Sequence, residues 1–578
     1  MAEKQKTELL VKKLASKKIK SSEDFLKLKQ KLAAELGILM PGNVRIVEIY
    51  KYLRKNKKVE PNKWLETKVK KRPVRSLSGV AVVAVLTKPW PCPGKCIYCP
   101  LEKGIPKSYL SGEPAVERAK LLKYDPYLQV KKRIETLEKI GHPADKIELI
   151  VIGGTWSYLP KQYQTWFITQ CFAGANTANS KIKNQKSKLQ FKNQNLEKSQ
   201  KINEKARHRI IGLTLETRPD YIDEKEILRM RKFGATRVEL GMQIADDKIL
   251  KKNLRGHGIL EIIKATRLLK NAGFKICYHI MPGLLGSNPR LDLARFKKIF
   301  SSPDFRPDML KIYPCVVTKG AKLYELWKKG AYIPYTDQQL IELLIKMKYI
   351  VPPYVRINRI IRDIPSFQIE GGSKISNLRE RVQEEMEKRG IRCRCIRCRE
   401  IKSLRFKVSD QSTEHIKRYV LRCPGFRLIK TKYESSGGKE IFLSYENEKQ
   451  NKLAAFLRLR LPHPLLISPS PLGRGRKKEG EGEKRYKDTP LKTLQNTAII
   501  REVHTYGQLI PIGKRSRAAQ HLGLGKKLIK KAEKIARQSG YKKIAVISGI
   551  GARNYYRKLD YRLQDTYMVK SLIQSKSY

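Results

Sequence analysis

Cys92-Pro-Gly-Lys-Cys96-Ile-Tyr-Cys99 holds three cysteines, with three and then two residues between them. Thiolates are the usual protein ligands of iron–sulfur clusters, and this spacing lets them reach three irons of one cubane. Pro93 and Gly94 let the short loop curl around such a cluster. The fourth iron gets no ligand from this loop, so it can bind a substrate or cofactor directly. The alternatives are a structural zinc knuckle that lacks one ligand, or plain reduced thiols.

The residue before the third cysteine is aromatic, Tyr98. Cys-x3-Cys-x2-Cys with an aromatic residue there resembles the signature of radical S-adenosylmethionine (SAM) enzymes. The resemblance implies a [4Fe-4S] cluster held by Cys92, Cys96 and Cys99. It also implies SAM as a second cofactor.

The 578 residues carry a formal net charge of +69, from 123 lysines and arginines against 54 acidic residues. A solvated basic surface explains a single lysine run, but an excess of this size indicates a polyanion, and nucleic acid is the default. A membrane surface is the weaker alternative. The charged opening residues predict no signal peptide, and no apolar run in the sequence approaches the ~20 residues that span a bilayer. The ten cysteines cluster as metal sites, so we expect a reducing, cytoplasmic location.

Residues 1–75 are rich in lysine and predict a small basic helical domain that binds nucleic acid. Its alternative is a solvated cap on the next domain. Ser21 and Asp24 predict a capping box, and Gly37 predicts the end of that helix. Four apolar residues at helical spacing define one face of the helix: Phe25, Leu28, Leu32 and Leu36.

From residue 76 to 390, short apolar strands alternate with helical patterns, one of them at 259–271. This alternation predicts a parallel sheet or a partial (βα) barrel. Barrel chemistry takes place on the loops after the strands, and the cysteine loop follows the first strand. The predicted strands are 80–87, 146–152, 209–215, 236–240, 275–281 and 309–313.

Two polar stretches interrupt this pattern. Residues 176–205 are rich in Asn, Gln, Ser and Lys, and they predict a disordered insertion in the barrel. Residues 467–489, rich in Pro, Gly, Arg and Glu, predict a second insertion further along the chain. Insertions of this kind cost little free energy when they lie between strands.

Three further motifs follow successive predicted strands. Gly153-Gly154-Thr155 permits close backbone approach and can hold the amino acid end of SAM. Glu216 and Gln243 can each accept a hydrogen bond from the ribose hydroxyls. A tight turn explains the glycines alone, but four matches at four successive strand ends favour a SAM site.

A cysteine-rich segment spans residues 391–425. Cys393, Cys395 and Cys398 are followed by Cys423, and four thiolates at this spacing suit tetrahedral zinc. The alternatives are free thiols or a second iron–sulfur cluster. The segment lies between the predicted barrel and the last domain, so a zinc ion here is expected to be structural.

The pattern changes after residue 425, and 426–578 predicts a separate α+β domain. Its predicted strands are 441–445, 454–459, 498–503 and 543–548, with a helix at 524–537. Gln520-His-Leu-Gly523-Leu524-Gly525-Lys526 opens that helix and matches the loop of GNAT-type acetyltransferases. Backbone N–H groups at such a helix start can bind the pyrophosphate of coenzyme A.

Two tyrosines in the same domain are the main candidates for contact with acetyl-CoA. Tyr555 or Tyr556 can bind the cofactor or protonate a leaving thiolate. The alternative is an aromatic pair in the core. Glu502 and His504 are weaker candidates that can polarise a water or the thioester.

Taken together, these motifs resemble the catalytic subunit of the Elongator complex from about residue 75 to 570. The resemblance is more specific than the superfamily signature because it includes the C-terminal domain. Its further motifs are Glu216-Thr-Arg-Pro-Asp220, Glu239-Leu-Gly-Met-Gln243, Arg255-Gly-His257, Met281-Pro-Gly283, Leu310-Lys-Ile-Tyr-Pro314 and Leu323-Tyr-Glu-Leu-Trp327.

The resemblance implies a tRNA-modifying enzyme that joins the acetyl carbon of acetyl-CoA to carbon 5 of the wobble uridine by SAM radical chemistry. It allows a homodimer or accessory Elongator-type subunits without requiring them. The expected fold is an α/β multidomain chain: a basic helical domain, a radical SAM partial barrel and a GNAT-type α+β domain. The alternatives are a protein lysine acetyltransferase and a non-catalytic RNA-binding scaffold.

Overall fold

The computed structural model describes residues 3–17, 19, 21–69, 79–178, 195–401, 425–462, 489, 491–506 and 523–573. The first helices form a small cluster of their own: α1 (Glu3–Ser16), α2 (Ser22–Glu35), α3 (Asn43–Lys55) and α4 (Lys63–Lys68). The predicted capping box is confirmed, because Ser21 Oγ accepts from Asp24 N and the Asp24 carboxylate accepts from Ser21 N, both at 2.9 Å. Leu10, Leu14 and Leu53 are fully buried between these helices.

A sheet of seven parallel strands in sequential order follows. Its strands are β1 (Ala81–Leu86), β2 (Lys146–Ile152), β3 (Arg209–Thr217), β4 (Arg237–Gln243), β5 (Lys275–Ile280), β6 (Met309–Ile312) and β7 (Arg356–Ile360). The order has β1 and β7 at its two ends, so the sheet is an open, partial barrel. The predicted fold class and all six predicted barrel strands are confirmed.

Strand β7 is absent from the sequence prediction. Its residues Arg356, Asn358 and Arg359 give a polar segment that does not read as a buried strand. All three line the cavity inside the barrel, where polar side chains have a use that hydrophobic patterning does not report.

Helices cover the outside of this sheet. They are α5 (Pro114–Leu121), α6 (Pro126–Lys139), α7 (Lys161–Thr177), α8 (Leu196–Asn203), α9 (Glu224–Lys232), α10 (Asp247–Lys252), α11 (Ile259–Asn271), α12 (Pro289–Ser301), α13 (Lys322–Lys328), α14 (Asp337–Ile350), α15 (Leu378–Lys388) and α16 (Ile396–Arg399). The N-terminal helices dock on this layer, where Lys51 Nζ donates to Glu138 O at 2.5 Å. Among the described residues, no helix has the length and apolar character needed to cross a membrane.

The prediction that 176–205 is a disordered insertion is wrong at its two ends. Helix α8 occupies Leu196–Asn203, and Asn195 caps it by accepting a hydrogen bond from Lys198 N. Asn203 is fully buried, and its side-chain oxygen accepts a hydrogen bond at 2.8 Å from the backbone N of Ile210, which is the second residue of β3. Polar composition hid this helix because most of its buried residues, Ser199, Gln200 and Asn203, are polar. Residues 179–194 lie outside the described part of the chain.

A second seven-stranded sheet forms the C-terminal domain, in the order β13-β14-β12-β11-β10-β9-β8. Its strands are β8 (Arg427–Glu434), β9 (Gly438–Asn447), β10 (Lys452–Pro462), β11 (Thr497–Thr505), β12 (Lys543–Val546), β13 (Arg562–Gln564) and β14 (Tyr567–Ser571), with helices α17 (Leu524–Gln538) and α18 (Arg553–Arg557). The four predicted strands are confirmed, while β8, β13 and β14 are additional. Most of the predicted insertion at 467–489 lies outside the described residues.

The C-terminal domain packs against the amino ends of the barrel strands. A Cβ atom on Gly549 would lie 2.1 Å from Ile211 O, so the two backbones are in direct contact. Buried charges cross the same boundary: Arg501 Nη1 donates to Asp308 Oδ1 at 3.0 Å and to Glu440 Oε2 at 2.9 Å. The interface therefore fixes the C-terminal domain at the end of the barrel opposite to the cysteine loop.

Candidate functional site

The cysteine loop follows β1 at the carboxyl edge of the barrel. Cys96 is buried, while Cys92 and Cys99 are half-buried. A Cβ atom on Gly94 would lie 3.7 Å from Cys92 Sγ and 3.6 Å from Cys96 Sγ, so the loop curls and both sulfurs face the space around this glycine. All three cysteines line one cavity. Three thiols around a shared space are a donor set that fits a cubane cluster with one open iron.

An arginine that the sequence analysis quoted but gave no role lies against this loop. Arg255 Nη1 donates to Cys96 Sγ at 3.4 Å, and its Nη2 donates to Gly241 O at 2.8 Å. A hydrogen bond from Cys99, aided by the charge of Arg255, lowers the pKa of the Cys96 thiol to about 4. Cys96 therefore favours the thiolate, the form that binds metal, while the same hydrogen bond raises the pKa of the Cys99 thiol.

The Gly-Gly-Thr motif follows β2 at the same edge. Gly153 and Gly154 have φ of 130° and 101°, a backbone conformation that side chains rarely adopt. A Cβ atom on Gly153 would also lie 2.1 Å from Thr87 Oγ1. Thr155 Oγ1 is 4.0 Å from Cys92 Sγ. The motif and the cysteine loop thus meet, as a shared cofactor would require.

Glu216 and Gln243 lie at the ends of β3 and β4 and line the same cavity. Glu216 Oε2 accepts from the Tyr109 hydroxyl at 3.4 Å. Gln243 has a φ of 68°, and its buried Oε1 has no hydrogen-bond partner. A strained residue that lines a cavity and carries an unpaired acceptor indicates a ligand contact.

Deeper in the barrel lies an ion-pair cluster that the sequence analysis did not predict. Glu239 is fully buried, its Oε2 is 2.9 Å from His279 Nε2, and the same oxygen accepts a hydrogen bond from Lys311. His279 Nδ1 lies 3.5 Å from Glu216 Oε1. Burial alone would raise the pKa of the Glu239 carboxyl, but the charge of Lys311 and the hydrogen bond from His279 hold that pKa well below its usual range.

The ligating atoms of Glu239, Cys277 and His279 lie within 4.8 Å of one another, which is the geometry of a metal site. Arg237 Nε is 3.7 Å from Glu239 Oε1, and Lys311 pairs with the other oxygen. Each oxygen of Glu239 thus already faces a cation, and Arg237 is also paired with Glu148 at 3.0 Å, so a metal ion here would have to displace an existing ion pair. We interpret the cluster as a polar lining of the barrel.

One cavity of about 1400 Å³ extends from the cysteine loop to the C-terminal domain. Its lining includes residues at the carboxyl ends of the barrel strands, residues inside the barrel, and residues of the second sheet. Among them are Cys92, Cys96, Cys99, Gly154, Thr155, Glu216, Glu239, Gln243, His279, Glu502, His504, Gly523, Gly525, Lys526, Tyr555 and Tyr556. The two groups of candidate residues, far apart in the sequence, therefore share one internal space.

The predicted coenzyme A loop lies at the far end of this cavity. Gly523 caps α17 with a φ of 71°, and the helix begins at Leu524. Gly525 and Lys526 line the cavity, and a Cβ atom on Gly525 would lie 3.3 Å from Tyr555 Oη. A helix start with exposed N–H groups fits a pyrophosphate. Gln520 lies outside the described residues.

Tyr555 and Tyr556 lie on α18 beside that loop. Their ring centroids are 5.2 Å apart in an edge-to-face arrangement, with Tyr555 40% and Tyr556 8% exposed. Burial raises the pKa of both phenols. Both hydroxyls therefore keep their protons at neutral pH and can act as hydrogen-bond donors.

Glu502 and His504 lie on β11. Glu502 Oε2 accepts from Arg458 Nε at 2.9 Å, and Lys275 and Arg458 hold the pKa of this carboxyl low against the effect of burial. His504 lies against Tyr506, with ring centroids 4.4 Å apart, and its buried Nε2 has no hydrogen-bond partner. Burial lowers the pKa of His504 to about 4. His504 is thus a neutral imidazole, while Glu502 is an ion-paired carboxylate.

The cysteine-rich segment brings three of its four predicted ligands together. The sulfurs of Cys393, Cys395 and Cys398 lie within 4.8 Å of one another, and two of these cysteines are buried. Cys423 lies outside the described residues. Directly after these cysteines, Glu400 takes part in a contact between the two domains. Arg356 of barrel strand β7 donates to Glu400 at 2.7 Å and to Tyr506 of the C-terminal domain at 2.8 Å.

Comparison with known families agrees with this architecture. Residues 92–296 match the radical SAM superfamily, 307–388 match the radical SAM C-terminal domain, and 503–561 match the acetyltransferase (GNAT) family. Fold and site together define an acetyltransferase of the radical SAM superfamily.

The chain is 45% identical over 547 residues to the tRNA uridine(34) acetyltransferase of Methanocaldococcus infernus, covering 93% of this chain and 92% of that protein. It is 37% identical over 567 residues to Elongator complex protein 3 of Homo sapiens, covering 95% and 93%. A solved structure of the archaeal Methanocaldococcus infernus protein, without residues 1–46, matches with a TM-score of 0.66 and 42% identity over 86% of this chain and 100% of that one. The chain therefore belongs to the family of tRNA uridine(34) acetyltransferases and Elongator complex protein 3, and the predicted resemblance is confirmed.

Proposed function

We propose that this protein modifies the wobble uridine of tRNA, joining the acetyl carbon of acetyl-CoA to carbon 5 of the base by SAM radical chemistry. The observation that carries the proposal is the single cavity lined by the cysteine loop, the Gly-Gly-Thr motif and the coenzyme A loop. A reaction that needs both cofactors requires such a shared space, whereas an acetyltransferase acting alone does not.

The residues at the carboxyl edge of the barrel would hold the cluster and SAM. Cys92, Cys96 and Cys99 would ligate three irons, and the cluster would supply the electron that cleaves SAM to a 5′-deoxyadenosyl radical. The backbone of Gly153 and Gly154 would bind the amino acid end of SAM. The unpartnered Gln243 Oε1, together with Glu216, would accept hydrogen bonds from the ribose hydroxyls.

At the other end of the cavity, Gly523 to Lys526 would bind the pyrophosphate of acetyl-CoA at the start of α17. Tyr555 or Tyr556 would donate a hydrogen bond to the thioester or protonate a leaving thiolate, since both phenols are neutral. His504 fits better than Glu502 as a group that polarises water, because its imidazole is neutral and its Nε2 has no partner, whereas Glu502 is held in ion pairs.

Transfer RNA is the proposed substrate because the chain carries a net charge of +69 and begins with a basic helical domain. The same charge disfavours a protein lysine acetyltransferase, since a cationic protein tail would be repelled. The two cofactor sites disfavour a non-catalytic RNA-binding scaffold. A homodimer or accessory Elongator-type subunits would add binding surface, but all the proposed cofactor ligands belong to this chain.

Two further points belong to this proposal. The sulfurs of Cys393, Cys395 and Cys398, completed by Cys423, would bind a structural zinc ion between the two domains. A cytoplasmic location is proposed because the nine described cysteines are free thiols, as a reducing compartment maintains them.

Mass spectrometry of wobble nucleosides tests the function directly. The protein with reconstituted cluster, SAM, reductant, acetyl-CoA and unmodified tRNA should give a uridine with an added acetyl-derived group. Omission of SAM should abolish it. A histone-tail peptide in the same reaction should stay unacetylated. Acetylated peptide together with unchanged uridine would favour the lysine acetyltransferase instead.

A further inference from the structure

Two exposed indoles and a half-buried phenol form a continuous aromatic patch beside the cysteine loop. The rings of Trp90 and Tyr163 are stacked, with centroids 6.4 Å apart and an interplanar angle of 17°. Tyr163 and Trp166 follow, with centroids 5.5 Å apart. Trp90 is 36% and Trp166 47% exposed, whereas the neighbouring Trp156 is 2% exposed. An indole exposed to water gives up burial energy, so this patch invites a functional explanation.

A lysine and a buried ring hold the patch in place. Lys88 Nζ lies 5.3 Å from the Trp90 centroid and 5.2 Å from that of Tyr163, and Lys88 N donates to Tyr163 Oη at 3.1 Å. Below the surface, the fully buried Phe167 contacts Tyr163 and Trp166, at 5.7 Å and 6.5 Å between centroids. The rings are therefore preorganised, and a cation lies with them.

The patch lies next to the proposed reaction centre. Trp90 precedes Cys92 by two residues, and Tyr163 and Trp166 occupy the first turns of α7, shortly after the Gly-Gly-Thr motif. Helix α7 packs on α6, and α6 carries the Glu138 carbonyl that accepts a hydrogen bond from Lys51 of the N-terminal domain. The basic domain therefore contacts the same pair of helices as the patch, but at the C-terminal end of α6, where Glu138 also pairs with Arg207 just before β3.

We propose that Lys88, Trp90, Tyr163 and Trp166, here called the aromatic platform, bind unpaired RNA bases that flank the target uridine. This inference rests on the proposed function and specifies how the substrate is held. Proteins bind unpaired nucleotides by stacking the bases on aromatic side chains while cations contact the phosphates. The platform offers two exposed indoles, a phenol and a lysine, on a chain of net charge +69.

The partner is RNA rather than protein because the exposed residues around the rings are basic and polar. Lys88, Lys95, Lys161 and Gln162 are all exposed beside them, which suits phosphates and not the apolar rim of a protein partner. Unpaired bases are required because the rings of a duplex are already stacked on one another. Binding should therefore discriminate an anticodon loop from an RNA duplex.

Affinity for an anticodon stem–loop RNA, measured on the full chain, tests the proposal. Stacking is worth about 1–3 kcal/mol per base, so Trp166→Ala or Trp90→Ala should weaken binding roughly 5- to 150-fold. Trp166→Phe and Trp90→Phe keep a stacking ring and should retain most of the affinity. Tyr349→Ala removes a ring that is 64% exposed on α14 and serves as the matched control, with no change expected.

Tryptophan fluorescence gives a second readout that loss of stability would not mimic. In the wild-type protein, the stem–loop should quench tryptophan fluorescence because bases stack on the indoles, whereas a duplex of the same composition should not. The double variant Trp90→Phe/Trp166→Phe should still bind the stem–loop but lose that quenching. Unchanged affinity of both alanine variants for the stem–loop would overturn the proposal. So would a wild-type affinity for the duplex equal to that for the stem–loop. Alanine variants that keep RNA binding but no longer bind a protein partner would also overturn it, because the patch would then be a protein-docking surface. Binding is measured without SAM or acetyl-CoA, so a failed modification assay would count against the proposed function alone.

Discussion

Glu204, which lies between the barrel helix α8 and β3, accepts a hydrogen bond from Arg557 of the C-terminal domain at 2.6 Å. The other oxygen of the same carboxylate accepts from Arg553 at 3.1 Å, and the Glu204 carbonyl accepts from Asn554 at 3.0 Å. These contacts surround Tyr555 and Tyr556, which lie between Asn554 and Arg557 on α18. The barrel therefore holds the helix that carries both candidate acetyl-CoA tyrosines.

Glu204→Gln should weaken acetyl-CoA binding without affecting SAM cleavage. Loss of a charged hydrogen bond costs about 1.5 kcal/mol, so we expect roughly a tenfold rise in the Kd for acetyl-CoA. Calorimetry measures this constant. Glu197→Gln changes an exposed carboxylate on the same helix α8 and should leave the Kd unchanged. Equal Kd values for Glu204→Gln and wild type would show that the contact does not position the tyrosines.

Variants at the two ends of the cavity should lose different steps of the reaction. Cys96→Ala removes a proposed cluster ligand, so it should abolish SAM cleavage and leave the Kd for acetyl-CoA unchanged. Tyr556→Phe removes one hydroxyl, and it should still cleave SAM but make little modified uridine. 5′-Deoxyadenosine and modified nucleoside, measured in parallel, separate the two defects. Modified uridine from the Cys96→Ala protein at the normal rate would refute the two-centre proposal, because the GNAT domain would then suffice.

Changes in different parts of the segment 176–205 should have different effects on the stability of the protein. Asn203 donates from Nδ2 to Asn176 Oδ1 at 2.7 Å and accepts from Ile210 N, so Asn203→Ala should cost about 1–3 kcal/mol of stability. Exposed Lys201→Ala is the control and should be neutral. Residues 179–194 lack large apolar clusters, so a short Gly/Ser linker in their place should leave the Tm nearly unchanged. A Tm unaffected by Asn203→Ala would contradict the packing of α8.

His504 should make stability depend on pH below neutrality. Its pKa falls from 6.5 in the unfolded chain to about 4 in the folded state. Between these pH values the unfolded state binds more protons than the folded state. The contribution of His504 to the free energy of unfolding is therefore present above pH 6.5 and is lost as pH falls toward 4, by up to about 1.4 kcal/mol per pH unit. His504→Phe keeps a ring beside Tyr506 and should flatten this dependence. Parallel Tm curves for both proteins from pH 7 to 4.5 would be inconsistent with a buried neutral imidazole.

Metal analysis tests the cysteine-rich segment. The purified protein should contain about one zinc beside the cluster iron, and Cys395→Ser should lose the zinc and lower the Tm, because a structural site contributes its binding energy to folding. Cys171→Ser changes a buried cysteine on α7, away from the segment, and should keep the zinc. Iron with extra acid-labile sulfide, and no zinc, would show a second cluster instead.

Several features of the fold and site follow from local sequence. Each depends on residues close together in the chain: the spacing of Cys92 to Cys99, the glycines at 153 and 154, the Ser21 capping box and the start of α17. Six barrel strands are predicted because a short apolar run indicates a buried strand without any knowledge of the residues that pack against it. Strand β7 and helix α8 are not, because the polar side chains of β7 line the cavity and those of α8 are buried against partners, neither of which hydrophobic patterning reveals.

What the sequence by itself determined was thus the two cofactor motifs, the order of the domains and the charge that indicates RNA. Tertiary structure alone decided that both motifs line one cavity, that Lys311 neutralises Glu239, and that Glu204 holds Arg557. The physical reason is distance along the chain: Glu204 and Arg557 are 353 residues apart, and Lys311 and Glu239 are 72 apart. Contacts of this range form only when the barrel sheet assembles and the C-terminal sheet packs on its amino end.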